Sequence, residues 1–334
     1  MVNLDIEFHY YVTYLIALKA GFDKKSANII ATSSQLVDDN VEINYIKNNK
    51  DEVYKTYISQ TANILKPEDE LFRIYSVFHF VPGNYDDVGT RRKDGTFHIL
   101  NTTPNSSNAQ KIIKKAVETN NLYRLGIASH CYLDTWAHQN FVGYFSYFNG
   151  MSGVLNEAIP DIGHADAKHN PDLISQVWKD ERLISKNEIV DNNARFIEAA
   201  IFLLKYYKSF LGKSKNISKE FVNKLRKILS IKGCRQEDKN KRIKNYKLLS
   251  EELFNYTVSD YNRYEWFLEG VEQRNNKSFF LPNMNISQVE YYWKNDNYKS
   301  SKYYQFIEAV KAHQKSAIKI FDQEKYNSLE LKKI

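Results

Sequence analysis

Residues 129–141 read SHCYLDTWAHQNF. His130, Asp134 and His138 recur at steps of four, so on an α-helix they share one stripe. Their neighbours three and four residues away are Gly126, Ile127, Leu133, Ala137 and Phe141, all apolar or tiny. The stripe therefore lies on a buried face. An ionised carboxylate buried without a partner is costly. A cation held between the imidazoles and the carboxylate is one solution. Histidine nitrogen with carboxylate oxygen suits zinc, and also iron or manganese. A buried His–Asp hydrogen-bond network is the other, and for this helix alone the two stand level.

Other stretches tip the balance toward metal. His9 sits among Ile6, Val12, Thr13 and Ile16, with Asp5 four residues before it. Asp38 continues the line Ala27, Ile30, Ala31, Ser34. Asp39 continues the wetter line Asn28, Thr32, Gln35, so Asp38 is the better inward carboxylate. His79 ends the apolar run IYSVFHFVPG. His164 stands in IGHADAKHNPD, with Asp166, His169 and Asp172 nearby. Of eight histidines, five (His9, His79, His130, His138, His164) fall in apolar or glycine-framed contexts, which packing alone explains poorly. His98, in a hairpin-like stretch, and His313, on a polar helix, read as ordinary. Cys131 points about 100° away from the stripe and reads as a buried structural thiol.

Working outward, the pattern predicts an all-α multi-helix bundle with one minor β-hairpin. Helices are expected over IEFHYYVTYLIALKAGF, stopped by Gly21, and over DKKSANIIATSSQLVDDN, capped by Asp23. YKTYISQTANIL reads as a short strand or helix. Further helices cover EDELFRIYSVFHF, SNAQKIIKKAVETN, LYRLGIASHCYLDTWAHQNF and NEIVDNNARFIEAAIFLLKYYKSFL, then residues 217–230 and 246–271, and SKYYQFIEAVKAHQKSAIKIF. The hairpin is placed in TRRKDGTFHIL, turning at Asp94–Gly95. NGMSGVLNEAIPDIGHADAKHNPD reads as loop and NNKSFFLPNMN as a break. With 12 Gly and 6 Pro in 334 residues, turn-formers are too few for a many-stranded fold.

The N-terminus lacks a secretory signal pattern, no run of eighteen apolar residues occurs, and two cysteines offer no disulfide framework. These features predict a cytoplasmic chain without a transmembrane segment; export without a signal peptide stays open. The net charge of +7 is uneven: residues 205–247 hold 15 Lys and Arg against 3 Asp and Glu. An anionic partner, nucleic acid or acidic membrane, is one reading of that excess. A solvated amphipathic helix with a basic loop is the plainer one. The chain is expected to divide into a helical metal-binding domain, residues 1–210, and a basic helical extension, 211–334, packing on it.

The ordered set resembles the superfamily of zinc-dependent phospholipases C and single-strand nucleases. The order is an early helix histidine, an aspartate some thirty residues on, a third-helix histidine, H-x-x-x-D with a following histidine, then another histidine before an acidic residue. The likeness covers roughly residues 5–200. It is greatest to an uncharacterised bacterial branch whose members begin similarly to DIEFHYYVTY…AGF. It implies an all-helical protein with two or three zinc ions in a cleft. His79, His130, Asp134 and Asp38 would hold one ion. His138 and His164, with a carboxylate near Asp172, would hold a second. His9 and Asp134 would hold a third, and Asp38 would also orient the attacking water. The chain departs from the pattern in three ways. With no signal pattern to cleave, a mature N-terminus is not expected to serve as a ligand, and Asp5 is the proposed substitute. Asp134 and His138 are closer than usual. Lys168 stands where the family has Glu; Asp172 replaces it, with Asp166 and His169 as alternatives, and Asp39 is a reserve for Asp38.

The implied function is metal-dependent hydrolysis of a phosphoric ester, lipid headgroup or nucleic acid, by an activated water. Arg91 and Arg92 are candidates to bind the phosphate in bidentate fashion, though exposed hairpin arginines are the commoner case. Tyr144, Phe145, Tyr147 and Phe148 suit base stacking, a lipid groove or plain packing. The competing expectation is a non-catalytic, metal-stabilised helical protein that binds an anionic partner.

Overall fold

The computed structural model describes residues 6–63, 65–151, 162–281 and 284–323. It is mostly helical. A π-helical segment, Glu7–Val12, runs directly into α1 (Thr13–Ala20). Two contacts hold the wider turn: Thr13 Oγ1 donates to the Phe8 carbonyl five residues back, at 3.0 Å, and Glu7 is pinned by a distant arginine described below. Gly21 ends α1 at φ 107°, a left-handed conformation that glycine adopts without strain. Asp23 caps α2 (Lys24–Asp39), accepting from the amides of Lys25 and Ser26.

Then follow α3 (Glu68–Phe78), α4 (Ser107–Glu118) and α5 (Leu122–Ala137). Every residue of α5 from Arg124 to Ala137 is buried. A helix apolar nearly all round must be enclosed, and α2, α3, α4, α6 (Asn192–Phe210) and α10 (Lys302–Gln323) pack around it. The remaining helices are α7 (Lys219–Leu229), α8 (Gln236–Phe254) and the short α9 (Glu265–Gly270). One core contains residues from both sides of position 210, among them Leu15, Ile127, Phe221, Tyr246, Trp266 and Phe306.

The strands depart from the sequence expectation. The stretch 90–100 forms no hairpin. It is a 3₁₀ turn (Val88–Thr90) followed by local turns, and its extended partner is Leu183, opposite Arg92. The hairpin lies instead where a helix end and a break were expected. There β5 (Val271–Leu281) pairs antiparallel with β6 (Met284–Trp293). β6 also pairs parallel with β1 (Tyr45–Lys47), which pairs antiparallel with β2 (Val53–Lys55), giving the order β2-β1-β6-β5. Pairing between strands more than 240 residues apart has no local periodic signal. A second sheet pairs β3 (Val177–Lys179) antiparallel with β4 (Ile189–Asp191); β4 takes the start of what reads as the long helix, and α6 begins only at Asn192, capped by Asp191.

Three helix readings also change. The expected helix 246–271 is the end of α8 and then α9, because Asn255 turns left-handed at φ 49° and stops α8. α5 stops at Ala137, so His138 is its C-cap and not a fourth-turn residue. His313 is not on a polar face. Phe306, Val310, His313, Ala317 and Ile320 form the buried stripe of α10, where His313 stacks on Phe78 and meets Cys131 Sγ at 3.3 Å.

The approach of α2 to α5 turns on Gly126. A Cβ there would lie 2.4 Å from the Ile30 carbonyl oxygen and 2.6 Å from Ser33 Cβ, so only glycine lets the two helices come this close. Overpacking of this kind costs about 1–3 kcal/mol. Gly126→Ala is therefore expected to lower unfolding stability by that amount in chemical denaturation. It should also weaken metal retention, because the end of α2 carries Asp38. A variant as stable as the parent would show that the helices separate freely.

Candidate metal centre

The side chains of the 129–141 stretch converge with four other segments. Asp134, from α5, is completely buried, and His9 Nε2 lies 3.1 Å from its Oδ1. His79 Nδ1 and His130 Nε2 lie 3.2 and 3.1 Å from its Oδ2. Asp38 Oδ1, from the last turn of α2, is 3.4 Å from His130 Nε2 and 3.7 Å from His79 Nδ1. The rings of His9 and His130 stack at 3.9 Å. About one turn further on, Asp172 faces His164 Nε2 at 3.3 Å and His138 Nε2 at 3.7 Å. Among the described residues, three groups have ligand atoms within 4.8 Å of one another: His9, Asp38 and His130; His79, His130 and Asp134; and His138, His164 and Asp172. Each of these groups is able to hold a metal ion, and His130 is common to two.

Hydrogen placement follows from the partners. A backbone carbonyl only accepts, so the ring nitrogen facing one carries the proton. His79 donates from Nε2 to the Ser59 carbonyl at 3.0 Å. His138 donates from Nδ1 to the His79 carbonyl at 2.8 Å, and His164 from Nδ1 to the Lys168 carbonyl at 3.0 Å. In the neutral form each then aims a bare lone pair at a carboxylate. Nitrogen and oxygen lone pairs facing one another repel unless a proton or a cation lies between. Metal-ligating histidines are held in this way, with the second ring nitrogen donating to a carbonyl.

The electrostatics agree. Burial pushes His130 down to about 3 and also lowers His9 and His164, so these imidazoles are neutral at pH 7 and free to act as ligands. Burial alone would raise Asp134; positive charge at His130, His138 and His9 would hold its carboxyl well below the usual range, and with His130 and His9 neutral a cation among the donors would supply that charge. The result is a buried pocket of neutral nitrogens and anionic oxygens, the donor set of zinc, iron or manganese.

Local structure delivers each donor. The π-helical turn presents His9. His79 caps α3 with φ −125° and so leaves the helical path. Gly163, at φ +55°, turns its loop over Phe80, and a Cβ there would lie 2.6 Å from that ring; His164 follows directly. Phe80 also stacks on His138 at 4.2 Å.

The other candidates lie elsewhere. Asp5 is outside the described residues. Asp39 accepts from Tyr261 at 2.8 Å and pairs with Arg263 at 3.5 Å. Asp166 is buried but accepts from the Met151 amide, and His169 is exposed. Arg91 is exposed. Arg92 is buried, donating to the Phe148 carbonyl at 2.5 Å with its guanidinium over the Phe148 ring. Among the described residues neither arginine touches the three groups.

Two positions escaped the sequence reading. Arg195, on the first turn of α6, lies close enough to Asp172 to feel its charge; burial pushes it down to about 10 while Asp172 pulls the other way. Its neighbours three and four residues away, Asp191, Asn192, Glu198 and Ala199, are mostly polar and gave no sign of burial. Glu7 is fully buried and takes Arg242 of α8 in a bidentate pair, Nε–Oε1 2.7 Å and Nη2–Oε2 2.8 Å. A partner 235 residues away leaves no local trace.

With three ligand groups, purified protein is expected to hold at least two metal ions per chain by elemental mass spectrometry. Asp134→Asn should lose at least one of them and melt several degrees lower; fewer than one ion per chain in the parent would remove the metal centre. Breaking a buried ion pair from one side costs about 3–5 kcal/mol. Glu7→Gln should lose that much in denaturant unfolding, and a loss near zero would mean that Arg242 does not fix the π-helical turn.

Comparison with known proteins adds membership and no activity. No curated protein and no solved structure matches the chain. A family model described as a family of unknown function, DUF6765, matches residues 4–321. That match covers nearly the whole chain, and the protein belongs to this family of unknown function, DUF6765.

Proposed function

We propose that the protein is a metal-dependent phosphoric-ester hydrolase, with zinc as the metal. The observation that carries the proposal is the group His138, His164 and Asp172, which offers three donors, mixed imidazole and carboxylate, next to the donors around Asp134, where two groups share His130. Structural zinc sites are closed by four protein ligands, whereas catalytic ones keep a position for water or substrate. Adjacent ions with open positions suit in-line displacement at phosphorus. The resemblance to the zinc-dependent phospholipase C and nuclease superfamily supports the same chemistry.

When bound, the ions would acidify water and neutralise charge on the phosphoryl oxygens. The chain's own residues do the rest. Asp38 accepts the proton of the attacking water and orients it. The Ser59, His79 and Lys168 carbonyls keep His79, His138 and His164 in the ligating tautomer. Asp134, shared among three imidazoles, fixes their spacing. Arg91, which is exposed, remains the proposed phosphate contact, whereas Arg92 is buried against Phe148 and does not.

One observation favours a second reading. His9, His130 and Asp134 have no exposed surface, which suits a metal-stabilised binding protein as well as an enzyme. Turnover of bis-p-nitrophenyl phosphate separates the two. The enzyme should hydrolyse it, lose activity to a chelator and regain it with zinc. Asp38→Asn should lower kcat by at least about 100-fold, the usual contribution of a positioned base. Two or more bound ions with no turnover of this ester, of phospholipid or of single-stranded nucleic acid would favour the binding protein.

A further inference from the structure

The cations of the basic segment 205–247 have different roles once their partners are known. Several cations are used internally. Lys224 pairs with Glu220 and Glu252, Arg235 with Glu237 and Asp238, Arg242 with Glu7, and Lys247 with Asp260. Lys208 donates to the Asn216 carbonyl, which folds the 211–218 loop back onto α6. Four that have no acidic partner among the described residues gather elsewhere. Lys205, Lys215, Lys219 and Arg226 line one open groove of about 510 Å³ between α6 and α7, together with Asn216 and Asn223. Its remaining wall is aliphatic, and no acid lines it. Lys215, Lys219 and Arg226 are exposed at its rim, while Lys205 is half-buried deeper in.

Four like charges around one groove repel one another and are stabilised by a polyanion laid between them. We propose that this groove binds the phosphate backbone of nucleic acid, independently of the metal centre. Two features favour a phosphodiester chain over a membrane. The cations surround a concavity, which a strand enters and a flat bilayer does not. Among the described residues of 205–247 none that is exposed is a large hydrophobic, and interfacial binding grows with inserted apolar area. The groove also has no aromatic lining residue. Base stacking is therefore absent and the contacts are to phosphate alone, which makes binding independent of sequence and strongly dependent on salt.

The test is fluorescence anisotropy with a fluorescein-labelled oligothymidylate, using the full chain and checking by electrophoresis that the probe stays intact. Four phosphate contacts on a single strand predict that affinity falls about fifty-fold between about 50 and 200 mM salt. The exposed triple variant Lys215→Gln/Lys219→Gln/Arg226→Gln should retain one contact and a drop of only about three-fold. Lys227→Gln/Lys241→Gln/Lys244→Gln removes the same charge outside the groove and should bind like the parent. Equal weakening by the two triple variants would reduce the effect to net charge and overturn the proposal. So would binding to phosphatidylserine vesicles, lost in the groove variant, without binding to the oligonucleotide.

Discussion

The carboxylate of Asp134 is ionised and has no access to water, and the rest of the centre is arranged around that constraint. A charge in such a place needs partners that are themselves fixed. Three imidazole nitrogens meet its two oxygens at 3.1–3.2 Å. The fixing is done by backbone. The Ser59 carbonyl settles which nitrogen of His79 is bare, and the His79 carbonyl does the same for His138. The orientation of one ligand is thus passed to the next through the chain, and all of it depends on α5 being enclosed on every side.

That enclosure links the two ends of the sequence. The π-helical turn that carries His9 also carries Glu7, and Glu7 is neutralised by Arg242 from the most basic part of the chain. A π-turn is a rare helical form and is frequent at functional sites. Here a buried ion pair on one side and Thr13 on the other keep it in place. Part of the basic excess is therefore internal wiring of the ligand helix, and only the remainder is available to solvent or to a partner.

Much of the helical order was legible because it is local. Gly21 ends α1 and Asp23 caps α2 through contacts within a few residues, and short-range periodicity reports such contacts faithfully. The failures share a cause. The stretch 90–100 has a hairpin's turn residues, yet its extended partner is Leu183; β6 pairs with β1 from near the other terminus. His313 looked polar from its immediate neighbours, but the stripe that buries it is spread over fifteen residues of α10.

For the centre, the sequence by itself determined the inventory: histidines and aspartates on apolar faces, whose burial demands a partner. It also separated Asp38 from Asp39, because two adjacent residues on a helix point about 100° apart. Only the tertiary structure decided which donors meet. His79, Asp172 and His164 come from loops and helix ends whose directions follow from capping, from Gly163 and from the close α2–α5 packing at Gly126. The physical reason is range: burial is written in each helix's own periodicity, whereas convergence depends on contacts between segments that are distant in the chain.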